Sequence, residues 1–148
     1  MTIDEQNNLN VTFSETLNAN KAFNSEEATI TVYNKAHGKY SHAEGSGNLA
    51  SGAASHVEGY NNTANGGCSH AEGADTIADS YYGHTEGDNT YIKTMLGGHA
   101  EGQETKVIAN YGHAEGSRTI VSGSCAHAEG DHTIASGNSS HTEGDYET

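Results

Sequence analysis

The stretch Ser41-His42-Ala43-Glu44-Gly45 decides the fold, because its His-x-Glu-Gly part recurs seven more times along the chain. Successive motif histidines are 14 residues apart in six intervals and 15 residues apart in one. The motif pairs are His42 and Glu44, His56 and Glu58, His70 and Glu72, His84 and Glu86, His99 and Glu101, His113 and Glu115, His127 and Glu129, and His141 and Glu143. A fixed short period indicates the stacking of one structural unit, so we expect a solenoid whose function resides on a repeated surface.

Each 14-residue period divides into two halves of seven, and each half ends near a glycine. The second half reads Thr-x-Ala-x-Gly, as in Thr133 to Gly137. Seven residues suffice for one short strand and one corner, where glycine supplies a positive φ or a close backbone approach. The motif glycines predicted at these turns are Gly45, Gly59, Gly73, Gly87, Gly102, Gly116, Gly130 and Gly144. A coiled coil also has a seven-residue period, but it needs Leu or Ile at two heptad positions, and each Gly in a helix costs about 1 kcal/mol.

Alternation of side chains along a strand sorts each coil into an inside and an outside. Two columns of small, uncharged residues are predicted to face the interior. They are Ala43, Val57, Ala71, Thr85, Ala100, Ala114, Ala128 and Thr142 in the first half, and Ala50, Ala64, Ala78, Ile92, Val107, Val121 and Ala135 in the second. The motif His and Glu have the opposite parity, so we expect them to point outward. The alternative register places them inside wide coils, where burying ion pairs is costly.

The outward column of the second half changes its chemistry from coil to coil. It consists of Leu49, Thr63, Ile77, Tyr91, Lys106, Ile120 and Ile134. A column that accepts such different residues is typical of a face in contact with water, whereas a column that keeps His and Glu in eight coils is typical of a packed face. We therefore expect the His and Glu surface to pack against further copies of the same chain.

The composition limits the classes of partner. The chain carries 20 acidic and 6 basic residues, a net charge of -14. Nucleic acids and anionic membranes require a basic face, so we expect no nucleic-acid partner. We also expect no membrane insertion, because no apolar run is long enough to span a bilayer. With 32% hydrophobic residues, each coil buries a thin core, which favours oligomerisation.

Two domains are predicted, an N-terminal cap or attachment segment over residues 1–27 and a repetitive domain over residues 28–148. A degenerate coil through Thr29, Ile30 and Val32 is expected to cap the stack. The sequence stops at Thr148 within a half-coil, which predicts either a fragment without its receptor-binding tip or trimerising domain, or a filament former. The extra residue of the 15-residue interval, near Met95, predicts a bulge or a longer corner.

Five other residues share one position two residues before a motif histidine. They are Tyr40, Tyr82, Tyr111, Cys68 and Cys125. We interpret them as semi-buried fillers, with sugar stacking as an alternative role for the tyrosines. The two cysteines lie four coils apart, roughly 19 Å at the strand spacing, which is too far for a disulfide. His37 and His132 fall outside the motif register and are predicted to be exposed.

The pattern Thr-x-Ala-Ser-Gly-x-x-Ser-His-x-Glu-Gly, as in Thr133 to Gly144, resembles the 14-residue head repeats of trimeric autotransporter adhesins. It is even more similar to Ser-His-Ala-Glu-Gly repeats in bacteriophage and prophage tail-fibre proteins. The resemblance covers roughly residues 28–148, and it implies a left-handed parallel β-roll, a homotrimer, and a fibre that contacts a host. In the adhesin heads the His and Glu positions are usually aliphatic, so this chain departs from that family in how these positions pack.

Two roles are open for the motif His and Glu. In the first, each His donates a hydrogen bond to a Glu of its own or a neighbouring subunit, which raises the pKa of the His and holds the trimer together. In the second, rings of three His with nearby Glu on a threefold axis bind a transition-metal ion such as zinc, nickel or iron. Catalysis is not supported, because no unique nucleophile stands beside any of the eight pairs.

The repeat predicts an all-β parallel β-solenoid. The resemblance implies that this solenoid is left-handed and forms the shaft or head of a homotrimeric fibre that takes part in host-cell attachment. We expect no enzymatic activity and no required cofactor. Its location would be the virion, the extracellular space or the cell surface, and a missing tip would bind the receptor or glycan. The alternatives are a metal-binding trimer with axial His and Glu rings and an extracellular filament that assembles end to end.

Overall fold

The structure is a computed structural model that describes residues 2–3, 9–10 and 34–145. The chain divides into two compact units, Met1–Thr31 and Val32–Thr148. In the first unit, β1 (Thr2–Ile3) pairs antiparallel with β2 (Leu9–Asn10). The predicted boundary between residues 27 and 28 and the predicted degenerate capping coil lie outside the described residues, so both stay predictions.

The second unit is a β-solenoid of about eight turns, and its described residues contain strands and no helix. The strands of the second half-coils are β3 (Lys35–Ala36), β5 (Leu49–Ala50), β7 (Thr63–Ala64), β11 (Lys106–Val107), β13 (Ile120–Val121) and β15 (Ile134–Ala135). Those of the first half-coils are β4 (His42–Ala43), β6 (His56–Val57), β8 (His70–Ala71), β12 (His113–Ser117), β14 (His127–Asp131) and β16 (His141–Asp145). Two long strands, β9 (Ile77–Asp88) and β10 (Tyr91–Gln103), pass through a corner and belong to both halves. The prediction of an all-β solenoid is confirmed.

No helix among the described residues is long and apolar enough to cross a membrane.

Every strand of the solenoid pairs in parallel with the equivalent strand of the neighbouring coil, in register. The N–H of His42 donates to the carbonyl of Ser55 at 2.9 Å, and the N–H of His56 donates to the carbonyl of Ser69 at the same distance. This pairing satisfies the backbone although the coil has little apolar surface to bury. The predicted bulge is confirmed, since the register of β9 and β10 shifts between Lys93 and Leu96.

The interior of the coils consists of the two predicted columns of small residues. All members of the second-half column are buried, as are those of the first-half column except Ala43 and Thr142, which are half-buried. The alternative register, with His and Glu inside, is wrong. Where a motif pair lies within 4.0 Å, the His side chain is 33% to 63% exposed, because strand alternation turns it away from the alanine column.

A third buried column was not predicted. It lies six residues after the first seven motif histidines and comprises Asn48, Asn62, Thr76, Thr90, Thr105, Thr119 and Thr133. The Asn62 amide donates to the carbonyl of Glu58 at 2.6 Å and to that of Gly73 at 2.8 Å, while its Oδ1 accepts from the N–H of Thr76 at 2.8 Å. The Asn48 and Asn62 side chains therefore hydrogen-bond the backbone at the corner where strand pairing is interrupted. The hydroxyl groups of Thr90, Thr105 and Thr119 are buried without a hydrogen-bond partner.

The glycines serve the corners in two ways, as predicted. All eight motif glycines have positive φ, from 99° at Gly45 to 122° at Gly144. Gly123 does not have positive φ, but a Cβ there would lie 2.0 Å from the carbonyl oxygen of Gly137 in the next coil. The Gly123 corner therefore needs the absence of a side chain. The motif corners need both that absence and a left-handed backbone, since a Cβ at Gly45 would lie 2.1 Å from the carbonyl oxygen of Gly59.

Further corners place residues other than glycine at positive φ, which the sequence analysis missed. Tyr40, Tyr82, Tyr111, Cys68 and Cys125 all lie at such corners, with φ between 55° and 62°. All five are exposed, so their interpretation as semi-buried fillers is wrong. At these corners the backbone turns outward, and the side chain points into solvent instead of along the sheet. Both thiols are free, and His37 and His132 are exposed as predicted.

Candidate functional site

The His/Glu face is the outward surface formed by the eight motif histidines and the eight motif glutamates. In-register pairing of β4, β6, β8, β9, β10, β12, β14 and β16 places the eight imidazoles in one continuous column. Neighbouring ring centroids are 4.6 to 5.2 Å apart. Most neighbouring rings are nearly parallel, with an interplanar angle of 1° between His56 and His70. All predicted His and Glu residues thus share one face.

Six of the eight histidines lie within 4.0 Å of the glutamate two residues later, because both side chains leave the strand on the same side. The Nε2 to Oε2 distance is 3.4 Å for His70 and Glu72, and it lengthens to 3.9 Å for His113 and Glu115. These distances are too long for hydrogen bonds. The expected His-to-Glu hydrogen bond therefore does not form within the chain at four of these pairs, where the Nε2 atom has no hydrogen-bond partner: those of His70, His99, His113 and His127.

Six of the imidazole Nε2 atoms are shielded from solvent and have no hydrogen-bond partner. They belong to His56, His70, His84, His99, His113 and His127. A shielded polar atom without a partner is unfavourable, by about 1–3 kcal/mol, unless an unseen group satisfies it. The column thus offers a row of nitrogen atoms available to a ligand or to an adjacent chain.

Burial lowers the pKa of His70 and of His99 below the ordinary value, and the neighbouring histidines lower it further. The nearby glutamates act in the opposite direction but more weakly. The predicted rise in pKa is therefore wrong for these two residues. The physical reason is that each imidazole is stacked between two others, so a charge on it would be both partly desolvated and close to like charges.

Neighbouring carboxyl groups of the column also interact with one another. A hydrogen bond from the Glu58 side chain is the largest cause that lowers the pKa of Glu44, and the second is the contact with His42. The same carboxyl contact raises the pKa of Glu58. The two groups thus share a proton more readily than isolated carboxylates do, as expected for stacked carboxylates.

Four groups on the His/Glu face bring two histidines and one glutamate together. They are His42, Glu44 and His56; His70, Glu72 and His84; His113, Glu115 and His127; and His127, Glu129 and His141. In each group the potential ligand atoms lie within 4.8 Å of one another. Each group lies within one chain and spans two coils, whereas the predicted metal site was a ring of histidines from three chains. The equal spacing of the motif pairs along the sequence could have predicted these groups, because it places equivalent residues of adjacent coils side by side.

The opposite outer face is irregular at the bulge. Met95 is 77% exposed there, and Asn110 accepts hydrogen bonds from the N–H groups of Met95 and Leu96 at 3.0 and 3.1 Å. Two open hollows of about 440 and 650 Å³ lie on either side of Met95. Tyr81 and Ile108 line one hollow each. This face therefore has no repeated chemistry, in agreement with its variable outward column.

Comparisons with known proteins find no match: no protein-family model, no curated protein and no solved structure is significantly similar to this chain.

Proposed function

We propose that this chain is a rigid segment of a homotrimeric fibre, a phage tail fibre or a cell-surface adhesin, that takes part in attachment to a host cell. In this proposal the fibre is part of the virion or of the cell surface, and the His/Glu faces of three chains pack against one another. The chain acts as a structural protein and not as an enzyme.

The contrast between the two outer faces carries this proposal. The His/Glu face keeps the same two side chains in eight coils, and six of its nitrogen atoms are shielded without a partner. The opposite face varies from Thr63 to Tyr91 to Lys106 at equivalent positions. A surface that contacts a symmetry-related copy must match in every coil, whereas a surface in contact with water need not.

The fold supports a mechanical role. Coils paired in parallel along the whole stack form a column of imidazoles about 34 Å long at a strand spacing of about 4.8 Å. The small interior is made mainly of buried Ala, Val and Thr side chains. Stacked repeats of this kind resist bending because each coil contacts its neighbours along its whole perimeter.

The oligomeric state tests the proposal. Size-exclusion chromatography with light scattering should give three times the chain mass of 15.4 kDa. The double variant Glu101→Arg and Glu115→Arg should dissociate the trimer, because it places new positive charge beside the imidazole column. The matched control is Asp79→Arg on the opposite face, which should remain trimeric.

A monomer at micromolar concentration would contradict the packing of the His/Glu faces. Dissociation by Asp79→Arg but not by the double variant would place the contact on the opposite face. Long filaments of unmodified protein under the electron microscope would favour end-to-end assembly over a closed trimer.

A further inference from the structure

We propose that the His/Glu face binds divalent transition-metal ions of the zinc class at sites between adjacent coils of a single chain, with three ions per chain. Each site takes one histidine and the following glutamate from one coil and a histidine from the next coil. The three sites are His42, Glu44 and His56; His70, Glu72 and His84; and His127, Glu129 and His141. One chain supplies every ligand, so this inference does not rest on the proposed trimer.

The distance from Nε2 to the carboxylate in these sites matches a pair of metal ligands better than a hydrogen bond. It is 3.5 Å for His42 and Glu44, 3.4 Å for His70 and Glu72, and 3.5 Å for His127 and Glu129. Two atoms that each lie about 2.0–2.1 Å from a tetrahedral zinc ion are roughly 3.3 Å apart. The glutamate and its own histidine are therefore already spaced to bind one ion.

The histidine of the next coil needs a small movement. Its ligand atom lies within 4.8 Å of the other two, so the two imidazoles must lean together by up to roughly 1.5 Å to reach tetrahedral spacing. The side chains of His42 and His70 are 63% and 33% exposed, which leaves room for such a rotation. The Nε2 atoms of His56, His70, His84 and His127 have no hydrogen bond to break.

The donor set selects the class of ion. Two imidazole nitrogens and one carboxylate oxygen suit zinc, copper and nickel, whereas magnesium and calcium prefer oxygen ligands alone. The net charge of -14 and the stacked carboxylates favour a cation on this face.

The fourth group, His113, Glu115 and His127, explains why we assign three ions and not four. It shares His127 with the third site, and its Nε2 to Oε2 distance is 3.9 Å, against 3.5 Å for His127 and Glu129. One Nε2 atom binds one ion, so the two groups exclude each other. His99 belongs to none of the four groups, although its ring is part of the column.

The test is a zinc titration of chain produced without an affinity tag and stripped with a chelator. Elemental analysis after gel filtration should give three zinc ions per chain, and magnesium at the same concentration should not be retained. His70→Gln and His127→Gln should each lower the ratio by one ion. His99→Gln is the matched control and should leave it at three. Circular dichroism of each variant establishes that the coil structure is retained.

Failure to retain zinc would overturn the inference, as would a ratio that His70→Gln leaves unchanged. Rings of three histidines on a trimer axis give a different pattern, because His99→Gln would then lower the ratio as much as His70→Gln. Light scattering of the same sample separates the two proposals. A monomer that binds three ions would refute the proposed trimer and support the zinc sites. A trimer that binds no zinc would support the proposed trimer and refute the zinc sites.

Discussion

Replacement of Asn62 by alanine should destabilise the solenoid by about 3–5 kcal/mol. The Asn62 side chain is fully buried and makes three hydrogen bonds to backbone groups of Glu58, Gly73 and Thr76. Each buried hydrogen bond contributes about 0.5–1.5 kcal/mol, and a buried N–H left without a partner costs about 1–3 kcal/mol. Gly73 keeps a bond from the N–H of Tyr60 at 2.9 Å, so the main penalty falls at Thr76.

Two further variants separate hydrogen bonding from simple loss of volume. Asn62→Thr places the residue that the chain itself uses at five equivalent positions, so its loss of stability should be smaller than that of the alanine variant. Asn65→Ala is the matched control, because Asn65 is exposed and its side chain accepts a bond from Ser51 Oγ at 2.5 Å. Its expected effect is below about 1 kcal/mol, as for an exposed surface substitution.

Urea denaturation followed by circular dichroism measures these free energies of unfolding. We expect the order of stability to be unmodified chain and Asn65→Ala, then Asn62→Thr, then Asn62→Ala. If Asn62→Ala were as stable as Asn65→Ala, the hydrogen bonds of the buried Asn62 side chain would not stabilise the corner. That result would refute the expected cost of leaving the buried N–H of Thr76 without a hydrogen-bond partner.

Three other changes have defined outcomes in the same assay. Gly123→Ala should lower the free energy of unfolding by several kcal/mol, because its Cβ would lie 2.0 Å from the carbonyl oxygen of Gly137. Gly137→Ala should leave that free energy nearly unchanged, because the nearest described atom would lie 3.5 Å from its Cβ. Ala54→Gly should raise the free energy of unfolding by up to about 1 kcal/mol, because Ala54 has a φ of 54°, which glycine adopts more easily. A lower free energy of unfolding would contradict the left-handed backbone at this corner. The pKa values of His70 and His99 are lowered in the folded chain, so the unfolded chain binds more protons, and stability present above pH 6.5 should decline as the pH falls below that value. A urea midpoint of unfolding that rises as the pH falls would contradict this prediction.

The period of the sequence was sufficient to predict the coil and its inside and outside. Strand alternation places Ala71 inside and His70 outside regardless of any other detail, because a shift of one residue would exchange the two faces. The same reasoning located the bulge, since an extra residue near Met95 has nowhere to pair in an in-register ladder.

Other features of the structure could not be predicted, because they depend on backbone conformation and packing that the amino-acid types alone do not indicate. Cys68 and Tyr82 looked like fillers because they are apolar and recur at one position, but a left-handed corner turns them outward. The buried column through Asn62 was missed because Asn and Thr are common in exposed turns. The pKa of His70 was predicted with the wrong sign because two stacked imidazoles and burial outweigh one carboxylate at 3.4 Å.

The central claim is that the His/Glu face is the contact between chains, and site-specific photo-crosslinking tests it most directly. A photoreactive phenylalanine analogue placed at Glu115, on that face, should give crosslinked dimers and trimers on irradiation. The same analogue at Ile120, which is half-buried on the opposite face, should give none. Crosslinks from position 120 and not from position 115 would contradict the claim.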